Sequence, residues 1–124
     1  DRVGIAYVAT GRDRIDPVTN RFDFSIQQVD RDEAERGLEE ARKMFKEGYD
    51  LVVLDEVNST TDLKMMSVES VLALLDEKPE NTEVVLTGRN APDAFVDRAH
   101  LMTEMRLRKH YFYSGVPARE GIDY

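Results

Sequence analysis

The chain has 124 residues, 41% hydrophobic and 34% charged with no low-complexity tract, which suits one globular core and lies outside the composition of disordered chains. A formal net charge of −8 excludes the dense basic surface that nucleic-acid phosphates require, so small-molecule or protein partners are expected. The absence of cysteine excludes disulfides and thiolate metal sites and fits a reducing compartment.

No apolar run nears the roughly 18 residues of a membrane span, and no charged-then-apolar leader opens the chain. A cytoplasmic protein with no membrane partner is expected. Val3-Gly4-Ile5-Ala6-Tyr7-Val8 is a short apolar run ending at Thr10-Gly11, as a buried strand would be. Because it begins almost at Asp1, a further segment is expected upstream. Residues 12–29 form a long polar connection with turn signals at Asp16-Pro17 and Thr19-Asn20, and Phe22-Asp23-Phe24 as a brief extended piece. Asp30-Arg31-Asp32-Glu33 has capping-box spacing, and Ala34, Leu38, Ala41, Met44 and Phe45 follow at helical intervals until Gly48.

Leu51-Val52-Val53-Leu54 is a continuous apolar run, the pattern of a strand buried on both faces of a parallel sheet. Ser67 caps a helix with Val68, Val71, Leu72 and Leu75 on one side, ending before Pro79. Val84-Val85-Leu86 is the next strand, followed by the turn Thr87-Gly88-Arg89. Asn90 and Pro92 open a helix whose Phe95, Val96 and Ala99 are expected to face inward. Leu101-Met102-Thr103-Glu104-Met105 is a last strand, and residues 109–124 are a mostly irregular tail. The alternation predicts an α/β fold: a single domain over residues 1–124, an open parallel sheet with right-handed crossovers and helices on both faces. Ligands in such sheets gather at the carboxyl ends of the strands. Those ends are Thr10-Gly11-Arg12, Asp55-Glu56, Thr87-Gly88-Arg89 and Glu104-Met105-Arg106.

Asp55-Glu56 after four aliphatic residues is the Walker B arrangement, in which a buried strand presents a carboxylate to a Mg²⁺ bridging nucleotide phosphates. The same pair serves equally as a cap or an ion-pair partner. Thr87-Gly88-Arg89 offers amides, a hydroxyl and a guanidinium fork to phosphate oxygens, or is an ordinary tight turn. His110, among Tyr111, Phe112 and Tyr113, reads as a packed residue or a catalyst, and the aromatics as a core closure or a cover for a flat ligand. Met65-Met66 reads as adaptable packing.

Several of these pieces stand in one order: Leu54-Asp55-Glu56, then Val68-Glu69-Ser70-Val71-Leu72, then residues 78–92 with Thr87-Gly88-Arg89-Asn90-Ala91-Pro92. Thr103-Glu104-Met105-Arg106, Lys109-His110, Gly115-Val116 and Gly121-Ile122-Asp123-Tyr124 follow. In that order residues 33–124 resemble the P-loop-type ATP:corrinoid adenosyltransferases. The resemblance implies a RecA-like homodimer that binds MgATP and a reduced corrinoid, whose Co(I) attacks the ribose 5′-carbon and expels triphosphate in cobalamin biosynthesis or salvage. It implies that Asp55 and Glu56 hold Mg²⁺, that Thr87, Gly88 and Arg89 bind the nucleotide, and that Asp55, Glu56 and Arg89 carry catalysis. The corrinoid-binding residues stay unassigned. Two departures stand out. The 124 residues contain no glycine-rich loop ending in Lys and Ser/Thr, so a core lacking its first β-P-loop-α unit is expected. Where the family has an aromatic pair after Gly11, this chain has Arg12-Asp13-Arg14. A P-loop-less relative that binds corrinoid or nucleotide without catalysis, as a carrier or regulatory subunit, is the alternative, and a plain structural domain the third reading.

Overall fold

The computed structural model describes every residue except 1–3, 17, 20, 22, 120, 123 and 124. In chain order it has α1 (Gln28–Glu47), β1 (Leu51–Leu54), α2 (Val57–Asp62), α3 (Val68–Asp76), β2 (Glu83–Leu86) and α4 (Asp93–Arg98), then a 3-10 turn at Tyr111–Ser114. The strands pair in parallel, Leu51 with Glu83, Val52 with Val84, Val53 with Val85 and Leu54 with Leu86. Parallel pairing needs a long crossover, which α2 and α3 supply.

The long helix starts earlier than the spacing of Asp30 with Glu33 predicts. Gln27 is the cap, and Asp30 is the third helical residue, whose carboxylate accepts the Gln27 amide at 2.7 Å. An acidic side chain there satisfies an orphan donor at the positive end of the helix dipole. Gly48 ends α1 in the left-handed region at φ 80°, with its amide donated to the Met44 carbonyl. Ser67 caps α3 as expected, its hydroxyl accepting the Ser70 amide at 3.0 Å.

Leu38, Ala41 and Phe45 of α1, Val52 of β1, Val57 of α2, Val71 and Leu74 of α3 and Phe95 of α4 form one buried cluster. Val52, Leu54, Val84 and Leu86 lie on the sheet face that meets it, because side chains alternate along a strand and the register pairs these positions. Leu51, Val53 and Val85 lie on the opposite face and stay exposed. Helices therefore cover one face of the sheet among the described residues, where the sequence predicted two. In α3 it is Leu74, rather than Leu75, that is fully buried. In α4 Phe95 alone turns inward, while Val96 and Ala99 are exposed because the helix ends at Arg98, one turn after it docks.

Two predicted strands are not formed. Residues 4–10 run beside α1 without strand pairing, and Val3 lies outside the described residues. Two α1 side chains hold the end of this segment: Arg36 donates to the Ala9 carbonyl at 2.8 Å, and the Gly11 amide donates to Glu33 at 3.0 Å. Residues 101–105 form no strand. An apolar run becomes a strand only where a neighbouring edge meets its backbone groups. The brief extended piece at 22–24 includes Phe22, outside the described residues; Asp23 and Phe24 carry no strand.

Candidate functional site

Parallel strands deliver their carboxyl ends to the same edge, so Asp55-Glu56 after β1 and Thr87-Gly88-Arg89 after β2 become neighbours. The ladder runs one step past the strands, with the Thr87 amide donating to the Leu54 carbonyl at 3.2 Å and the Asn58 amide to the Thr87 carbonyl at 3.0 Å. The Thr87 hydroxyl then joins the two ends. It donates to Asp55 Oδ1 at 2.6 Å and accepts the Glu56 amide at 2.9 Å.

Glu56 lies in the left-handed region at φ 59°, a conformation that a non-glycine residue keeps only when its surroundings enforce it. Beyond Thr87, its carbonyl accepts the Thr60 amide at 3.0 Å and the Thr60 hydroxyl at 2.9 Å. The twist redirects the chain from β1 straight into α2, whose Ser59 donates to Glu56 Oε2 at 2.6 Å. The same hydroxyl accepts the Arg89 amide at 2.9 Å. Gly88, at φ 121°, packs so tightly that an added Cβ would lie 3.0 Å from both the amide nitrogen and the hydroxyl oxygen of Ser59. Beside it Asn58 is buried, with Nδ2 reaching the Gly88 carbonyl at 3.4 Å and Oδ1 left without a partner. An orphaned buried carbonyl costs about 1–3 kcal/mol. Asn90, also left-handed at φ 54°, donates to Asp62 at 2.8 Å.

Asp55 and Glu56 form no ion pair among the described residues, and each has one carboxylate oxygen engaged by a hydroxyl and the other without a protein partner there. The Arg89 guanidinium, exposed, has no protein partner among the described residues. No group of three or more His, Cys, Asp or Glu is assembled among those residues. A two-carboxylate edge fits Mg²⁺ all the same, because that ion takes one or two carboxylates and fills its octahedron with water and substrate phosphate oxygens. An open groove of about 1220 Å³ runs from this edge along β1, bounded by residues 4–12 and by Met65 and Met66.

The other two predicted strand ends do not join the edge. Arg12 turns to α1, where it bonds Asp30 at 3.0 Å and Asp23 at 2.8 Å, and Arg14 reaches Asp30 at 2.7 Å. Arg106 pairs with Glu104 in an exposed contact. His110 acts locally, its Nδ1 accepting the Phe112 amide at 3.1 Å while its ring lies 4.6 Å from that of Tyr111, tilted by 40°. Phe112 and Tyr113 are exposed, so that segment closes no core. Sequence reasoning missed α2 altogether, and with it Asn58, Ser59 and Thr60. The signal was the run Asn58-Ser59-Thr60-Thr61-Asp62, whose short polar side chains are suited to bonding backbone groups.

The described residues form a small α/β fold with a parallel two-stranded sheet whose strand ends carry acidic and hydroxyl side chains. The family model described as ATP:corrinoid adenosyltransferase BtuR/CobO/CobP matches residues 5–124. The chain belongs to this family. It is 39% identical over 107 residues to a corrinoid adenosyltransferase from a Sinorhizobium species, covering 83% of this chain and 50% of that protein. With the corrinoid adenosyltransferase of Salmonella typhimurium it shares 37% identity over 75 residues, 60% of this chain and 38% of that protein. An uncharacterized Nostoc protein is 41% identical over 103 residues, 81% of this chain but 27% of its own length. The chain thus spans half or less of these relatives.

Proposed function

We propose that this chain carries the metal-and-phosphate edge of an adenosyltransferase that moves the 5′-deoxyadenosyl group of ATP to the Co(I) of a reduced corrinoid. The observation that carries the reading is the Thr87 hydroxyl, which locks the Asp55 carboxylate and the Glu56 amide into one rigid strand-end unit. In the reaction the cobalt–carbon bond forms as the bond from C5′ to the triphosphate oxygen breaks, and the triphosphate leaves with the electron pair. Mg²⁺, when bound, would neutralise charge on that leaving group. Asp55 and Glu56 would hold the ion through their free oxygens. Thr87 and Ser59 keep those carboxylates aimed, and the Gly88 and Arg89 backbone with the Arg89 guanidinium lies where phosphate oxygens would be met. The nucleophile is the substrate's cobalt, so no side chain has to act as general base. A homodimer in the cytoplasm completes the reading. No helix among the described residues is long and apolar enough to cross a membrane.

Binding of corrinoid or nucleotide without catalysis is the second reading. Chemical-shift mapping of the ¹⁵N-labelled chain with MgATP, and separately with reduced corrinoid, tests both. MgATP is expected to shift the amides of Glu56, Gly88 and Arg89, and Asp55→Ala to abolish those shifts. Shifts confined to residues 12–21, or unchanged in Asp55→Ala, would contradict the site.

A further inference from the structure

We propose that Ser59 is a positioning residue that couples the Glu56 carboxylate to the Thr87–Arg89 turn, so that the metal-holding and phosphate-facing halves of the edge move as one. The inference rests on the reading of Asp55 and Glu56 as cation ligands.

A serine hydroxyl has a single proton, and the two contacts of Ser59 fix where it goes. The Arg89 amide can only donate, so Ser59 Oγ accepts there at 2.9 Å and must give its own proton to Glu56 Oε2 at 2.6 Å. The shorter contact has the length of a hydroxyl bonded to an ionised carboxylate. Oriented at both ends, the hydroxyl holds one Glu56 oxygen and leaves the other free to face outward. Thr87 does for Asp55 what Ser59 does for Glu56: each hydroxyl donates to a carboxylate and accepts a backbone amide at this edge. The two relays cross. Thr87, after β2, grips residues after β1, while Ser59, reached through β1, grips the turn after β2.

Ser59 is the third residue of α2, three positions after the N-cap Glu56, and its hydroxyl donates back to that residue's carboxylate. It also accepts an amide 30 positions away. Gly88 shows that the approach is built in, since a Cβ there would press on Ser59 at 3.0 Å. The Glu56 backbone is already fixed by Thr87 and Thr60. Its carboxylate is the one part that needs a further restraint, and Ser59 supplies it. Outer partners of this kind commonly change metal affinity 10- to 100-fold.

The test uses the full chain, ¹⁵N-labelled, with Mn²⁺ as a paramagnetic probe of the carboxylates and broadening of the Glu56 and Arg89 amides as the readout. Ser59→Ala is expected to raise the Mn²⁺ concentration needed by about ten-fold. In a Glu56→Ala background the same change is expected to have no further effect, because Ser59 acts through Glu56. Equal Mn²⁺ response in Ser59→Ala and the unaltered chain overturns the coupling, as does an equal loss in both backgrounds, which marks a structural role alone. Absence of Mn²⁺ broadening at Asp55 and Glu56 in the unaltered chain overturns the site reading and the coupling with it. A measurement without substitutions covers a variant that does not fold: saturating Mg²⁺ is expected to slow hydrogen exchange of the Arg89 amide at least roughly ten-fold, since rigidifying Glu56 tightens its acceptor. Unchanged Arg89 exchange with Mg²⁺ bound at Glu56 sinks the proposal.

Discussion

Asp30 is the residue on which the amino-terminal segment hangs. Its side chain is 2% exposed, yet it carries a charge, which is tolerable only because the Gln27 amide, Arg12 and Arg14 all donate to it. The Gln27 amide foremost, with the two arginines, lowers its pKa. Asp23 is held down to about 2, chiefly by the Ser25 hydroxyl and amide and further by Arg12. Both carboxylates thus have folded values below their unfolded ones, so their stabilisation is complete above the unfolded value of about 4 and is lost as pH falls through the folded values. Acidification from pH 5 toward pH 2 is therefore expected to release Arg12 and Arg14 from Asp30 of α1 before the core unfolds. Hydrogen exchange at the Ser25 and Gln27 amides, which donate to these carboxylates, should accelerate in that window while that of Val52 stays slow. Release of both regions in one step would refute a separate acid-labile unit. Asp30 was legible in the sequence as a helix-start signal, but its two arginines were not, because Arg12 and Arg14 lie in a loop whose path no periodicity reports.

Among the elements, α3 and α4 show how packing divides residues that a helical wheel groups together. Leu74 is 0% exposed at the centre of the cluster, whereas Val96 is 37% exposed on a helix of six residues. Leu74→Ala is expected to cost about 2–5 kcal/mol and Val96→Ala less than about 0.5 kcal/mol, measured by urea unfolding of both variants. Comparable losses would mean that α4 buries the wrong face. The two paired strands could be read directly from Leu51-Val52-Val53-Leu54 and Val84-Val85-Leu86, since short aliphatic runs between turn signals have few other destinations. The runs at 4–8 and 101–105 looked similar and failed as strands, because strand formation depends on a neighbouring edge that composition does not encode. At the site, Asp55, Glu56, Thr87 and Arg89 could be placed on one edge from topology alone. Ser59 and Asn58 could not, since their role depends on a left-handed residue at 56 that no rule assigns to glutamate.

For the molecule as a whole, nucleotide affinity follows from how few phosphate contacts this edge offers. A glycine-rich loop with its Lys and Ser/Thr adds several charge-assisted contacts, each worth about 1.5–3 kcal/mol, and the 124 residues hold no such loop. Three or four fewer contacts outweigh what Arg89 provides. With each 1.4 kcal/mol worth about tenfold, the chain by itself is expected to bind MgATP at least roughly a thousandfold more weakly than a full-length relative, and to transfer no detectable adenosyl group. Calorimetry of the two proteins side by side decides it. Micromolar binding by the chain would point to a different phosphate cradle, in residues 12–21 or from a partner subunit.

The parallel pairing of β1 with β2 also governs how this protein reaches its native state. Leu51 cannot meet Glu83 until the intervening segment has looped back, and closing a loop of roughly thirty residues costs about 3 kcal/mol of chain entropy before any strand contact repays it. The helix α3 lies inside that loop, and its Val71 and Leu74 dock on the same cluster as Leu38 and Phe45 of α1. Its collapse onto α1 shortens the distance the second strand must search. The sheet edge that carries Asp55, Glu56 and Arg89 is thus expected to form late in folding, after the helices on its apolar side have met.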